Sequence, residues 1–284
     1  MTPSDKLAAQ ETRRHFELVA RQPDAAIDLA HAALLIAAEE EPGCDVGRWR
    51  AQLYELGMRG RERVEREPRE PVEALNQYLF GELGFAGNQK DYYDVRNSLL
   101  NHVLERRTGI PITLSVVYME VGRRAGLHTE GVGLPGHFVV RVRESASALR
   151  AVLVDPFYGT TVDEDECQNR LDTIYGGQVP LTDEHLRGVT TREILVRMLR
   201  NLKAIYTQAQ LYKRALASVE RILLLAPREA AERRDRGVLL AQLNRLQEAL
   251  FDLQGYLNTS PRPADAEEVQ AQLKRLQIRL AMLN

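Results

Sequence analysis

Two short apolar stretches decide the fold of this chain: GHFVVRV at residues 136–142 and VLVDPFYG at residues 152–159. Both are rich in valine and phenylalanine, which favour β-strands. We predict that residues 139–143 and 150–154 form the arms of a β-hairpin that turns near Ala146. The hairpin is the centre of the predicted fold.

His137 and Asp155 lie at the open end of this predicted hairpin. When residue 142 is placed opposite residue 150, His137 faces Asp155 directly. Opposed residues of an antiparallel pair have Cβ atoms roughly 4.5–5.5 Å apart. The aspartate can then bond one imidazole nitrogen and fix the tautomer of the ring. The sequence therefore predicts a histidine–aspartate dyad.

Composition excludes several classes of protein. The 284 residues are enough for two or three domains. A formal net charge of −2 gives no basic field for nucleic acid or an anionic membrane. Neither an apolar run long enough to span a bilayer nor the apolar segment of a signal peptide is present. We expect a cytoplasmic protein that binds neither nucleic acid nor a membrane.

The chain shows no motif for a metal or a cofactor, and we expect neither. Cys44 and Cys167 are far apart and belong to no CxxC motif, which argues against a zinc site or a disulfide framework. Residues 131–136 match GxGxxG, but a strand follows the glycines where dinucleotide binding requires a helix N-terminus.

Helical patterns precede the hairpin. We predict helices over residues 5–21, 24–40, 46–66 and 72–80, followed by a glycine-rich loop. These helices form a predicted N-terminal extension over residues 1–90.

The predicted core covers residues 91–189. Asp94 is placed to cap a helix that Gly109 ends, and Pro111 to start a second helix that Gly126 ends. A strand near 129–132 and the hairpin follow, whereas the polar residues 160–189 indicate an irregular connection. Helices followed by antiparallel strands are typical of an α+β domain.

Residues 190–284 have a helical repeat pattern. Thr190 and Glu193 form a predicted capping box. Three pairs of residues recur at a spacing of 34: Tyr212 and Leu246, Ala215 and Ala249, Pro227 and Pro261. That period resembles the tetratricopeptide repeat, and residues 264–283 would form a capping helix. Because such repeats commonly bind partners on their concave face, we expect a protein or peptide partner here.

Longer motifs carry a second resemblance. Four segments contribute, and tetratricopeptide-like helices follow them: LFGELGFAGN, NSLLNHVLERRTGIPITLSVVYMEVGRRAGL, GVGLPGHFVVRV and LVDPFYG. Together they resemble the bacterial SirB-type family of transglutaminase-like proteins. The resemblance implies a papain-related α+β core in which nucleophile, histidine and aspartate follow in that order, and it implies no particular reaction.

The position of the nucleophile departs from true transglutaminases. Those enzymes place a cysteine near the N-terminus of the helix, where the dipole and the histidine lower the thiol pKa. Here Pro111 takes that place, and neither cysteine substitutes easily. Thr113 and Ser115 are the nearest hydroxyls, although first-turn hydroxyls usually bond to local backbone.

Other polar side chains are candidates for lining a pocket. A spacing of four places Asn97, Asn101 and Glu105 on one predicted helix face, where they line a cleft together with Pro111 or are merely solvated.

Two hypotheses of function follow. The leading one is a transglutaminase-like protein without the catalytic cysteine, which regulates or scaffolds by binding a partner through its helical repeats. The alternative is an amide hydrolase or acyltransferase in which His137 is the base, Asp155 orients it, and Ser115 or Thr113 is the nucleophile.

Overall fold

A computed structural model describes residues 2–259 and 264–282. The chain divides into two compact units, Met1–Ile194 and Leu195–Asn284. Each unit is described by itself. The boundaries that the sequence predicts after residues 90 and 189 stay predictions.

Four helices open the first unit: α1 Pro3–Ala20, α2 Leu29–Glu40, α3 Val46–Arg66 and α4 Pro71–Asn76. Side-chain caps set three of the starts, since Thr2, Asp28 and Asp45 each accept a backbone N–H of the first turn. α2 is buried along nearly its whole length and forms the centre of this helical layer. The predicted helix over 72–80 continues from α4 into a π-helical turn.

The helix predicted to follow Asp94 is interrupted. Asp94 caps only a short 3-10 turn, Val95–Ser98, and α5 begins afterwards as Leu100–Arg106. The Thr113 hydroxyl donates to the Asn97 carbonyl at 2.7 Å. In a continuous α-helix, the Asn97 carbonyl would instead accept the N–H of residue 101. The prediction of one continuous helix is therefore wrong.

α6 runs from Pro111 to Arg124, as the proline and Gly126 predict. Two short strands lie just before it in space: β1 Ala86–Gly87 pairs in parallel with β2 Thr108–Gly109. α6 packs against α3 and against the first strands of the main sheet. Its N-terminus therefore has a fixed position beside the glycine-rich loop.

An antiparallel sheet of five strands completes the first unit. Its strands are β3 His128–Val132, β4 Val139–Arg143, β5 Val152–Asp155, β6 Thr160–Val162 and β7 Gly188–Val189. They lie in the order β6-β5-β4-β3-β7. The predicted strand near 129–132 and the predicted first arm, residues 139–143, are confirmed, whereas the second arm is β5 at Val152–Asp155 instead of residues 150–154.

The register of the hairpin differs from the prediction by two residues. Val142 pairs with Val152 instead of residue 150, and the loop extends over residues 144–151. His137 and Asp155 are consequently diagonal neighbours and not directly opposed residues. A shift of two keeps both side chains on the same face, within reach of each other.

The prediction of an irregular connection over residues 160–189 is wrong. This segment holds β6, β7 and the helix α7, Glu164–Tyr175. Asp163 and Glu166 form a reciprocal capping box at its start, and Gly176 ends it in a left-handed conformation. Cys167 on its inner face packs into the apolar layer under the sheet.

Five further helices follow: α8 Thr191–Gln208, α9 Tyr212–Leu225, α10 Ala230–Gln242, α11 Leu246–Thr259 and α12 Ala266–Ala281. The period of 34 is visible in the second unit, because α9 starts at Tyr212 and α11 at Leu246. Ala215 and Ala249 are both fully buried. Pro261, which completes the third pair, lies outside the described residues.

The predicted capping box at the start of α8 is confirmed. The Thr190 N–H donates to Glu193 Oε2 at 2.7 Å, and the Glu193 N–H donates to Thr190 Oγ1 at 3.2 Å. Among the described helices, none has the length and apolar character that crossing a bilayer requires.

Candidate functional site

The structure brings His137 and Asp155 together. His137 lies in the turn before β4 and Asp155 is the last residue of β5. His137 Nε2 is 2.7 Å from Asp155 Oδ2. Asp155 is fully buried and His137 is 7% exposed. The dyad is thus a tight pair with one edge of the imidazole near the surface.

Asp155 has two further partners, which fix its role as an acceptor. Its Oδ1 accepts the Phe157 N–H at 3.0 Å, and its Oδ2 lies 3.0 Å from Arg170 Nη2. A guanidinium and a backbone N–H can only donate hydrogen bonds, so both oxygens of Asp155 act as acceptors. The His137 Nε2–H therefore donates to the carboxylate, and in the neutral ring the lone pair lies on Nδ1.

Arg170 is a site residue that the sequence did not predict. It lies on α7, and its guanidinium carbon is 4.5 Å from the centre of the Tyr158 ring. This stacking holds the side chain over the turn that follows Asp155. The missed signal was the capping box of α7 at Asp163 and Glu166, which marks a helix in a segment that looks irregular.

A cavity of about 330 Å³ opens beside the dyad. Seven residues line it: His137, Tyr158, Glu166, Asn169, Arg170, Thr173 and Ile174. The five from α7 recur at helical spacing and form one wall, which is polar except for Ile174. No group of three His, Cys, Asp or Glu side chains within residues 2–259 and 264–282 could hold a metal ion.

The N-terminus of α6 is tied to the same site through Gly87. The Gly87 N–H donates to the Phe157 carbonyl at 2.9 Å, and β1 pairs with β2 just before α6. A Cβ at Gly87 would lie 2.4 Å from the Phe157 ring, so only glycine permits this approach. The Phe157 ring in turn contacts the imidazole edge to face, with centroids 6.1 Å apart.

Neither predicted hydroxyl forms a hydrogen bond with His137. Thr113 is fully buried, and its hydroxyl is occupied by the Asn97 carbonyl and by the Ile110 N–H at 3.2 Å. The Ser115 hydroxyl is also buried and has no hydrogen-bond partner among the described residues. The choice of nucleophile in the enzyme hypothesis stays a prediction.

The four pocket candidates lie away from the cavity at His137, since none of them belongs to the described residues that line it. The Asn97 amide donates to the Asp91 carbonyl at 2.7 Å and braces the loop before α5. The Asn101 amide donates to Glu41 at 3.0 Å. Glu105 is exposed, and Pro111 is buried at the start of α6.

The two cysteines are neutral thiols. Burial raises the pKa of Cys167 to about 11, and Asp155 adds to the shift while Arg170 opposes it. Burial also raises the pKa of Cys44 to about 11, and the charges of Glu41 and Asp45 raise it further. Because thiolates are the reactive form, neither cysteine is an activated nucleophile at neutral pH.

A separate groove of about 330 Å³ lies in the second unit. Eight residues line it: Glu220, Arg236, Leu240, Arg245, Gln247, Glu248, Phe251 and Asp252. Phe251 is 78% exposed. Arg236 makes two hydrogen bonds with Asp252, at 2.6 and 2.7 Å. An apolar ring thus stands between charged side chains that are already paired.

Comparisons with known proteins agree with this architecture. The family model described as transglutaminase-like superfamily matches residues 47–200, and a tetratricopeptide repeat model matches residues 202–274. A UPF0162 protein of Xylella fastidiosa is 38% identical over 256 residues, which cover 88% of this chain and 90% of that protein. A UPF0162 protein of Vibrio cholerae is 30% identical over 212 residues, 75% of this chain and 78% of that protein.

One similar stretch occurs in a much longer protein. F-box only protein 21 of Mus musculus is 33% identical over 140 residues, which are 47% of this chain and 21% of that protein. No solved structure matches the chain significantly.

Proposed function

We propose a binding role for this chain, which belongs to the transglutaminase-like superfamily and continues into tetratricopeptide repeats. In this proposal the chain is a scaffold or regulator that holds a protein or peptide partner and carries out no cysteine-based acyl transfer. The observation that carries the proposal is the dyad itself: the carboxylate that orients His137 is shared with Arg170, and no thiolate is available to it.

Cysteine-based acyl transfer requires a thiolate. An imidazole activates a thiol only when the thiol lies within hydrogen-bond reach or is already ionised. Pro111 stands at the first position of α6 and offers no nucleophilic atom. Cys44 and Cys167 both have a pKa of about 11, which leaves them protonated at neutral pH.

The repeats supply the surface that favours a partner. Tetratricopeptide repeats generally mediate protein–protein interaction, and Phe251 exposes a large apolar ring in the groove between α10 and α11. Aromatic residues, phenylalanine included, and arginine are enriched at protein–protein interfaces, and arginines flank the ring of Phe251 in this groove. Arg236 and Arg245 provide that flank here.

The test is co-purification of one partner with the full chain and two variants. Phe251→Ala should weaken binding of the partner that the wild type retains by at least about tenfold. Ile278→Ala removes another exposed apolar side chain, from α12 and outside the groove, and should leave binding unchanged. Equal retention by all three proteins would contradict a partner site at Phe251.

A second candidate function is an amide hydrolase or acyltransferase, and the unpartnered Ser115 hydroxyl on α6 is the observation that favours it. The variant Ser115→Ala distinguishes the binding role from the enzyme role. If Ser115 is only a buried polar group, its removal should leave the free energy of unfolding equal or slightly raised. If Ser115 is the nucleophile, hydrolysis of small amide and ester substrates should be present in the wild type and absent in the variant.

A further inference from the structure

A groove on α3 carries an excess of positive charge. It has a volume of about 450 Å³, and its lining includes Arg48, Glu55, Leu56, Arg59, Leu83 and Arg107. Three arginines and one glutamate give the lining a formal charge of +2. The whole chain, in contrast, has a net charge of −2. The groove is therefore a local positive site on an acidic protein.

The three arginines of the groove are not neutralised by the protein. Within the described residues, Arg48, Arg59 and Arg107 form no salt bridge, whereas their neighbours Arg61 and Arg63 pair with Glu65 and Glu82. Unpaired guanidinium groups that line one concave surface present several N–H donors to an incoming anion.

Arg107 is held in this groove at a conformational cost. It follows α5 with φ 55° and ψ 28°, the left-handed conformation in which a helix usually ends on glycine. Its Nη1 donates to the Leu83 carbonyl at 2.8 Å, which anchors the side chain. Non-glycine residues held in this conformation cluster at functional sites.

We propose that this groove binds the phosphate monoester group of a small organic molecule. A phosphoryl group carries about −1.5 to −2 charges at neutral pH and accepts several hydrogen bonds, which matches the lining charge and the guanidinium donors. Leu56 and Leu83 provide apolar contact for the carbon part of the ligand. The volume lies in the range of small-molecule sites.

Calorimetric titration of the full chain with phenyl phosphate tests the proposal. The wild type should show saturable binding with one site per chain. Arg59→Ala should bind about tenfold more weakly or worse, because a charge-assisted hydrogen bond is lost. Arg61→Ala, which removes the same charge from the same helix outside the groove, should bind like the wild type.

Thermal melting of the same variants separates binding from folding. Arg59 is exposed, so Arg59→Ala should melt near the wild-type temperature while it binds phenyl phosphate more weakly. The proposal is overturned by an absence of saturable binding, or by equal weakening in Arg59→Ala and Arg61→Ala. Binding of inorganic phosphate as tight as that of phenyl phosphate would overturn the assignment to an ester.

Discussion

The two units each bury an aspartate against an arginine, but the two aspartates differ in the side chains that they bond. Asp155 bonds His137 and Arg170 through the same oxygen, while Asp252 bonds Arg236 through both. The cavities beside them have the same volume, about 330 Å³. Of the two linings, only the first contains an imidazole, a group that can accept or donate a proton in acid–base chemistry.

The two sites also differ in the side chains that they leave accessible. In the groove of the second unit, Arg236 pairs with Asp252 and Arg245 pairs with Glu248. The exposed ring of Phe251 is then the apolar group that a partner can contact. The pair in the first unit keeps an imidazole at the edge of a polar cavity. In the proposed function, the first site has no cysteine nucleophile and the second contacts the partner.

The largest effect should follow removal of the carboxylate at residue 155. Asp155→Ala leaves Arg170 without its ion-pair partner and the Phe157 N–H without its acceptor, in a fully buried position. Loss of one member of a buried ion pair costs roughly 3–5 kcal/mol. Urea denaturation followed by circular dichroism should show this loss in the first unit. A loss below about 1 kcal/mol would contradict the assigned burial and bonding.

A smaller loss is expected for Asp252→Ala in the second unit. The Arg236 side chain is 31% exposed, so its guanidinium can recover hydration when the aspartate is removed. We expect a decrease of about 1–3 kcal/mol in the free energy of unfolding. The same denaturation experiment checks it. A decrease as large as that of Asp155→Ala would remove the distinction between the two sites.

The thiols should be slow to react at neutral pH. With pKa values of about 11, Cys44 and Cys167 are almost fully protonated at pH 7 to 8. The rate of alkylation by iodoacetamide in the folded protein should rise as the pH approaches 11. The urea-unfolded chain, in which burial is lost, is the control and should react faster. Rapid labelling of the folded protein at pH 7 would show an activated thiol.

The smallest effect concerns the cap of α8. Hydrogen bonds from Arg187 and Thr190 lower the pKa of Glu193 from 4.5 to about 2. A carboxylate with a lowered folded pKa stabilises the fold above the unfolded pKa, and this contribution fades as the pH falls from 4.5 towards 2. The side chain is 41% exposed, so solvent screening keeps the contribution small.

The variant Glu193→Gln isolates this contribution. Its thermal midpoint should depend less on pH between 4.5 and 2 than that of the wild type. Identical pH profiles for the two proteins would show that the carboxylate does not support the cap.

The sequence predicted the elements whose signals are local. Pro111 and Gly126 bound α6, and the apolar stretches of the hairpin became β4 and β5. The dyad was found because a register error of two residues leaves side chains on the same face.

The sequence did not predict the features that depend on longer-range contacts. The Thr113 hydroxyl donates to the Asn97 carbonyl, and no local sequence pattern predicts the break in the helix before α5. The hairpin loop lacks a strong turn signal, so its length could not be read from residues 144–151. α7 has clear caps but a polar surface, and Arg170 was missed together with that helix.

Mass spectrometry of the intact chain after incubation with an electrophilic acyl ester tests the central claim most directly. His137→Gln, checked for folding by circular dichroism, serves as the comparison. We predict no covalent adduct on the wild type that depends on His137. A stoichiometric adduct on Ser115, Thr113 or a cysteine in the wild type, absent from His137→Gln, would contradict the account and establish the chain as an acyl-transfer enzyme.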